Sequence, residues 1–414
     1  MAAIDQPDSD PYDSFDPMAQ FIEGVAGNVR DPYPRFRKKR PEAPVECAFQ
    51  MNFAEEEVEA WTAHTYHTVS AILRDNTDFC SGAIRELLTV VMGPYPLVGM
   101  DEPEHKRLRS LVALAFRQKT LQHWDTELIV PVIDEYIDRF AARGRAELVR
   151  EFTYRYPVHV IAAILGLPAG DYPFFHQRAI ALLNVAAKPD AGIAASLELR
   201  DYFAEIVEQR RRVPESDLIS ELVRARLDGE QLGDEEIFSF LRLLLPAGAE
   251  TTYRATGNFL FALLTHPDQL DALRADRSLM TQAIEESLRW ESPLLLTMRS
   301  AASDTEVAGV TVPTGGEVHA NVGSANHDET RWERAEEFDI FRDPIPHIAF
   351  GVGPHMCLGM HLARMEMASA VNRLLDRCPN LRPDPDLWGR DDVHIHGENF
   401  RSPVALPVLF DPSE

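Results

Sequence analysis

Cysteine is scarce in this chain. Its 414 residues include four, Cys47, Cys80, Cys357 and Cys378, with no CxxC pair and no framework spacing. That excludes a disulfide scaffold and suits reduced thiols. Positive charge is also short: 41 Lys and Arg stand against 66 Asp and Glu, a net charge of -25. Broad electrostatic binding to nucleic acid or anionic lipid is thereby excluded, and any cationic patch must be local. Long apolar runs are missing too. "HVIAAILGLP" from His159 and "FLRLLLPAGA" from Phe240 fall well short of the ~18–20 residues a bilayer helix needs. The opening stretch "MAAIDQPDSDPYDSFDP" is acidic and proline-rich, without a basic start or an apolar core, and fits no secretory signal. A soluble, cytoplasmic protein is expected.

What is present is a 45% hydrophobic chain, enough for a large core. Apolar periodicity predicts helices at about 102–117, 124–142, 157–165, 195–212, 234–264, 267–274, 278–290 and 358–377. Strand signals are fewer; the best, Thr305 to Val322, places β-branched residues around "PTGG" and predicts a hairpin. The Pro-rich stretches Pro32–Pro44 and Pro344–Pro354 read as ordered meander and turn. "RFRKKR", Arg35–Arg40, reads as a solvated helix face. The fold class is therefore mainly α with small β-sheets (α+β). One large domain over 31–414 follows a poorly ordered acidic segment over 1–30.

One motif stands apart, "FGVGPHMCLGMHLAR", Phe350 to Arg364. From Leu358 the apolar positions step by three or four, so Cys357 falls at a helix N-terminus, where backbone N–H groups and the dipole favour an anionic sulfur. A dipole worth roughly 0.3–1 kcal/mol shifts a thiol of pKa about 8.5 by under one unit. A metal bonded to sulfur would complete the deprotonation. Gly351, Gly353 and Gly359 let backbone pass close to a flat partner and adopt positive φ. Two other readings stay open: a small buried hydrophobe, or a zinc site of His355, Cys357 and His361.

"FGVGPHMCLG" resembles the haem-binding loop of the cytochrome P450 family, with Phe350, Gly353, His355, Cys357 and Gly359 on its fixed positions. The resemblance runs from about Asp31 to the C-terminus and is that of the soluble, bacterial type. It implies haem b (iron protoporphyrin IX) between a long central helix and the cysteine-loop helix. Cys357 would be the axial thiolate and Phe350 would pack beside it. In "QAIEESLRW", Glu286 and Arg289 match the family's ExxR element, and Arg342 matches the arginine that completes a buried, structural ion-pair network. "LLLPAGAETTYR" places Glu250 and Thr251 on the acid–alcohol pair that routes protons, with Ala247 against the cofactor. Pro246 is foreign to the pattern and predicts a kink. His105 and Arg109 match a propionate-binding HxxxR pair; Arg299, His355 and His347 match its other partners.

The implied activity is a monooxygenase that inserts one atom of O2 into an apolar substrate of terpenoid, steroid, fatty-acyl or aromatic class. Electrons would come from a separate ferredoxin and reductase. The ferredoxin would dock near Lys106, Arg107, Arg117 and Lys119. Leu87, Val91, Leu183, Leu244, Leu295, Leu296 and Phe400 are expected to line the substrate pocket, and Arg401 to meet a substrate carboxylate. A peroxide-driven enzyme and a non-catalytic haem carrier are the alternatives. Neither needs the acid–alcohol pair.

Overall fold

The computed structural model describes residues 27–51, 57–185 and 188–413. The acidic segment expected over 1–30 lies outside the described residues as far as residue 26. Its last residues are tied down: the Val29 carbonyl accepts from Gly397 N–H at 2.9 Å and from Arg401.

Helices dominate. In chain order those used below are α1 (Tyr33–Glu42), α2 (Tyr66–Arg74), α3 (Gly82–Met92), α4 (Glu104–Ala113), α5 (Tyr156–Ile164), α6 (Tyr172–Leu183), α7 (Pro189–Arg212), α8 (Asp234–Thr265), α9 (Met280–Trp290) and α10 (Met360–Arg377). The central helix α8 is buried on nearly every face, as expected of a helix crossing a core. Asp234, Glu235 and Glu236 in its first turn complement the dipole, and Glu236 accepts from Gly233 N–H at 2.8 Å. The helix runs unbroken through Pro246. Pro32–Pro44 is mostly the helix α1 rather than meander, and α10 begins at Met360, so Cys357 lies in the loop ahead of it.

The main sheet joins β1 (Val45–Met51), β2 (Glu57–Ala63), β3 (Phe79–Cys80), β4 (Leu296–Ala301) and β7 (Glu317–Asn321) in the order β1-β2-β7-β4-β3. All pairs are antiparallel except β2 with β7, where Ala60 faces Glu317. Between β4 and β7, strands β5 (Thr305–Val307) and β6 (Val310–Val312) form a hairpin. Its turn is at Ala308–Gly309, where φ is +49° and +82°. "PTGG" instead leads the chain from this hairpin into the main sheet.

The basic run is not a fully solvated face. Arg40 is buried and donates to Glu329 at 2.8 and 2.9 Å, and Phe36 is buried beside it on α1.

The ExxR pair is fully bonded. Arg289 uses all five guanidinium donors: two reach Glu286 at 2.7 and 2.8 Å, and three reach the carbonyls of Asn326, Ala335 and Glu337. Arg342 donates to Glu286 at 3.2 Å. The network thus holds the irregular segment 333–342 against α9, and that segment leads into the cysteine loop.

Candidate active site

The loop before Cys357 is shaped by two left-handed glycines. Gly351 (φ +70°) follows a turn closed by its N–H on the Ile348 carbonyl. At Gly353 (φ +84°) a Cβ would lie 2.4 Å from the Leu73 carbonyl oxygen, so only glycine fits against α2. Gly359, by contrast, has φ −83°. The Cys357 N–H donates to the Phe350 carbonyl at 2.8 Å and closes the loop. Burial pushes the Cys357 thiol up; the Gly359 N–H, Arg109 and Arg364 pull it down.

The sulfur faces a cavity of about 350 Å³ between α8 and the cysteine loop. Of the residues expected at the cofactor, His105, Arg109, Ala247, Arg299, Phe350, His355, Cys357 and Gly359 line it, and so does Thr251. The Thr251 hydroxyl donates to the Ala247 carbonyl at 2.8 Å. Its lone pairs therefore remain available.

Glu250 points elsewhere. It is 2% exposed, does not line the cavity, and has Arg254 at 3.9 Å. Burial raises its pKa to about 7 against the lowering effect of Arg254.

His105 stacks on His355 with ring centroids 4.0 Å apart. Burial lowers both, His355 to about 3 with help from His105, Arg299 and Arg109, so both imidazoles are neutral at pH 7. His355 Nε2 bonds Ser81 Oγ at 3.1 Å, and His105 Nε2 has no partner among the described residues. Neither Arg109 nor Arg299 forms an ion pair among the described residues. Two guanidiniums and an orphaned imidazole nitrogen on one cavity call for a dianionic partner, and the two propionates of haem b fit that demand. The zinc reading fails on geometry. His361 is exposed, and among the described residues no three His, Cys, Asp or Glu converge on a metal position.

Several expected residues lie elsewhere. His347 is outside the cavity, with Nε2 3.2 Å from Glu285. Burial opposes ionisation of Glu285, but Arg364 and His347 outweigh it and hold it at about 2. Leu244 and Leu296 line the cavity; Val91, Leu183, Leu295 and Phe400 do not. Leu295, the residue before β4, is fully buried with Tyr33 and Phe36, while Leu294 and Leu296 on either side of it line the cavity. Leu183 ends α6 half-buried, and Phe400 lies under the Arg254 guanidinium. The Leu87 side chain lies outside the described residues. Arg401 is no substrate contact: it is 1% exposed and held by Glu291 at 2.7 Å.

Sequence reasoning missed Glu366. It is 1% exposed and lines the cavity, and its Oε2 has no hydrogen-bond partner. Burial alone raises its pKa well above the ordinary value. The signal was available: a carboxylate midway between Leu362 and Ala370 breaks the apolar stripe of α10.

The protein-family model described as cytochrome P450 matches residues 190–386. The putative cytochrome P450 YjiB of Bacillus subtilis is 36% identical over 359 residues, 84% of this chain and 88% of that one. The cytochrome P450 monooxygenase PikC of Streptomyces venezuelae is 34% identical over 365 residues, 86% of this chain and 85% of that one. The crystal structure of CYP109E1 from Bacillus megaterium in complex with testosterone superposes with a TM-score of 0.82 at 30% identity, covering 92% of this chain and 99% of that one. Similarity over most of both chains, in sequence and in three dimensions, makes this chain a member of the cytochrome P450 family of haem b monooxygenases.

Proposed function

We propose that the protein inserts one oxygen atom from O2 into an apolar organic substrate of terpenoid, steroid, fatty-acyl or aromatic class, with electrons from a separate ferredoxin and reductase. One observation carries the reading: a single largely apolar cavity presents Cys357, Thr251 and the Arg109, Arg299, His105 and His355 set together.

Haem, when bound, supplies the one-electron and dioxygen chemistry. Cys357 holds it from the loop side. Arg109, Arg299, His105 and His355 take its propionates, and Phe350 and Ala247 pack against it. Leu244, Leu296 and the other apolar lining residues exclude bulk water and position the substrate. Thr251 keeps its own proton on the Ala247 carbonyl and accepts a hydrogen bond from a water in the cavity. Glu250, raised to about 7 by burial, suits proton transfer near neutral pH, but it lies behind the cavity wall and would have to act through Thr251 or water.

Thr251→Ala is expected to go on consuming NAD(P)H with ferredoxin and reductase, while peroxide accounts for most of the electrons. Product formation should fall about 100-fold, the scale of one positioned proton-transfer group. Peroxide released per NAD(P)H oxidised checks this; unchanged coupling overturns the role of Thr251. Turnover by wild-type protein with peroxide alone, and none with ferredoxin, would favour the peroxide-driven alternative.

For the ferredoxin, Arg107 contributes less than expected, because Glu230 at 2.6 Å and Glu236 at 2.7 Å neutralise it. Lys106, Arg117 and Lys119 are exposed and have no ion pair among the described residues. Reversing Lys106 and Lys119 to Glu should slow reduction roughly tenfold at low ionic strength, with the difference fading as salt is added. Stopped-flow reduction measures it, and salt-independent rates equal to wild type would remove the docking face.

A further inference from the structure

Charge is unevenly placed around Cys357. Beside burial and the Gly359 N–H, two guanidiniums act on its sulfur, those of Arg109 and Arg364. Arg109 lines the cavity, where a propionate would answer its charge. Arg364 does not line it. It stands on α10, and its guanidinium carbon lies 4.4 Å from the centroid of the Phe350 ring, with the cation over the ring face. Phe350 lines the cavity together with Cys357, and its carbonyl accepts the Cys357 N–H at 2.8 Å. Arg364 is thus a fixed positive charge one aromatic ring away from the loop that carries the sulfur.

That charge is answered by Glu285 of α9. The two groups meet side-on: Nε of Arg364 donates to Oε1 at 2.5 Å and Nη2 to Oε2 at 2.8 Å, a bidentate geometry that fixes direction as well as distance. The same carboxylate faces His347, whose Nε2 is 3.2 Å away. His347 Nδ1 accepts from the Ala349 N–H at 3.1 Å, so the neutral ring carries its proton on Nε2, toward Glu285. Against burial, Arg364 and His347 hold Glu285 at about 2, so it is an anion at neutral pH. The side chains of Arg364 and Glu285 are 29% and 34% exposed, and solvent screens such a pair less than one fully at the surface. At the separation of one ring, in the intermediate dielectric near a protein surface, a single charge alters an equilibrium that adds one electron by on the order of tenfold.

We propose that Arg364 and Glu285 are positioning residues that set how readily haem held by Cys357 takes up an electron: Arg364 favours the added electron, and Glu285 cancels most of that effect. This rests on Cys357 being the iron ligand.

The test measures the midpoint potential of substrate-free holoenzyme at fixed pH and ionic strength. Glu285→Gln keeps the shape and leaves Arg364 unanswered. It should favour the reduced form about tenfold, which is about 59 mV upward for one electron. Arg364→Met leaves Glu285 without its guanidinium and should disfavour the reduced form by about the same factor. The double variant should return to within about threefold of wild type. Arg364→Lys, which keeps the charge but not the planar fork, should also stay within about threefold, even where urea denaturation shows it to be less stable. A pair that only staples α9 to α10 would lower stability in these variants and leave the potential in place. Both single variants within about twofold of wild type therefore overturn the proposal, and so do shifts of the same sign in both. If Arg364→Met does not fold, Glu285→Gln decides alone. If Cys357 were not the ligand, the reduced carbon monoxide complex of wild type would lack its thiolate-type spectrum; a thiolate-type spectrum with unmoved potentials rejects the charge pair alone.

Discussion

Cys357→Ala is expected to eliminate the thiolate-type spectrum of the reduced carbon monoxide complex and all monooxygenase turnover, while the polypeptide stays folded. The two outcomes separate because the loop does not depend on the side chain. Its shape comes from the Cys357 amide on the Phe350 carbonyl, the Gly351 and Gly353 turns and the packing of Gly353 on α2. The sulfur itself faces the cavity and receives only the Gly359 N–H. Truncation therefore opens no hole in the core, and the expected cost is about 1 kcal/mol or less. Haem should still associate through Arg109, Arg299, His105 and His355, with weakened retention. Thermal denaturation of apoprotein and the carbon monoxide spectrum of reconstituted protein measure the two effects. A variant that keeps the wild-type spectrum would remove Cys357 as the ligand.

Loss of Glu286 or Arg289 should act in the opposite sense, on folding first. Arg289→Ala leaves Glu286 buried with Arg342 as its remaining cation and deprives three carbonyls, of Asn326, Ala335 and Glu337, of their donor. Breaking a buried pair from one side costs about 3–5 kcal/mol, against a total stability of about 5–15 kcal/mol for a native protein. Arg289→Lys should recover little, since an ammonium cannot span five acceptors with three donors. Urea denaturation of the apoprotein reads both, and a loss under about 1 kcal/mol for Arg289→Ala would mean the network is dispensable.

What the sequence disclosed follows from how local each signal is. The cysteine loop, Glu286 with Arg289, and His105 with Arg109 are short motifs whose members act within one turn or one loop, so the resemblance could name them; in the structure Cys357, His105 and Arg109 line one cavity and Arg289 donates to Glu286. The long helices α8 and α10 were legible from their period. Partners far apart in sequence were not. Arg40 reads as solvated until Glu329, 289 residues away, is beside it. Arg401 reads as a substrate contact until Glu291 and the Val29 carbonyl close on it. Among the pocket residues, Leu295 and Leu296 were indistinguishable by composition. Leu295 comes just before β4 and Leu296 opens it, and only the folded path of the chain there decides which one meets the cavity. Glu366 was hidden for a related reason: a buried ionisable group carries meaning only when the groups that fail to meet it are known.

The parallel pairing of β2 with β7 has a consequence for how the chain is made. Ala60 meets Glu317, about 250 residues later, and at roughly 5–20 residues per second that partner leaves the ribosome about 12–50 s after it. Throughout that interval the β1–β2 ribbon has an open edge, the kind of edge that invites pairing with foreign strands. The nascent enzyme is therefore most prone to aggregation before its pocket exists, and a shortage of folding assistance should be felt earlier and more severely than a shortage of haem.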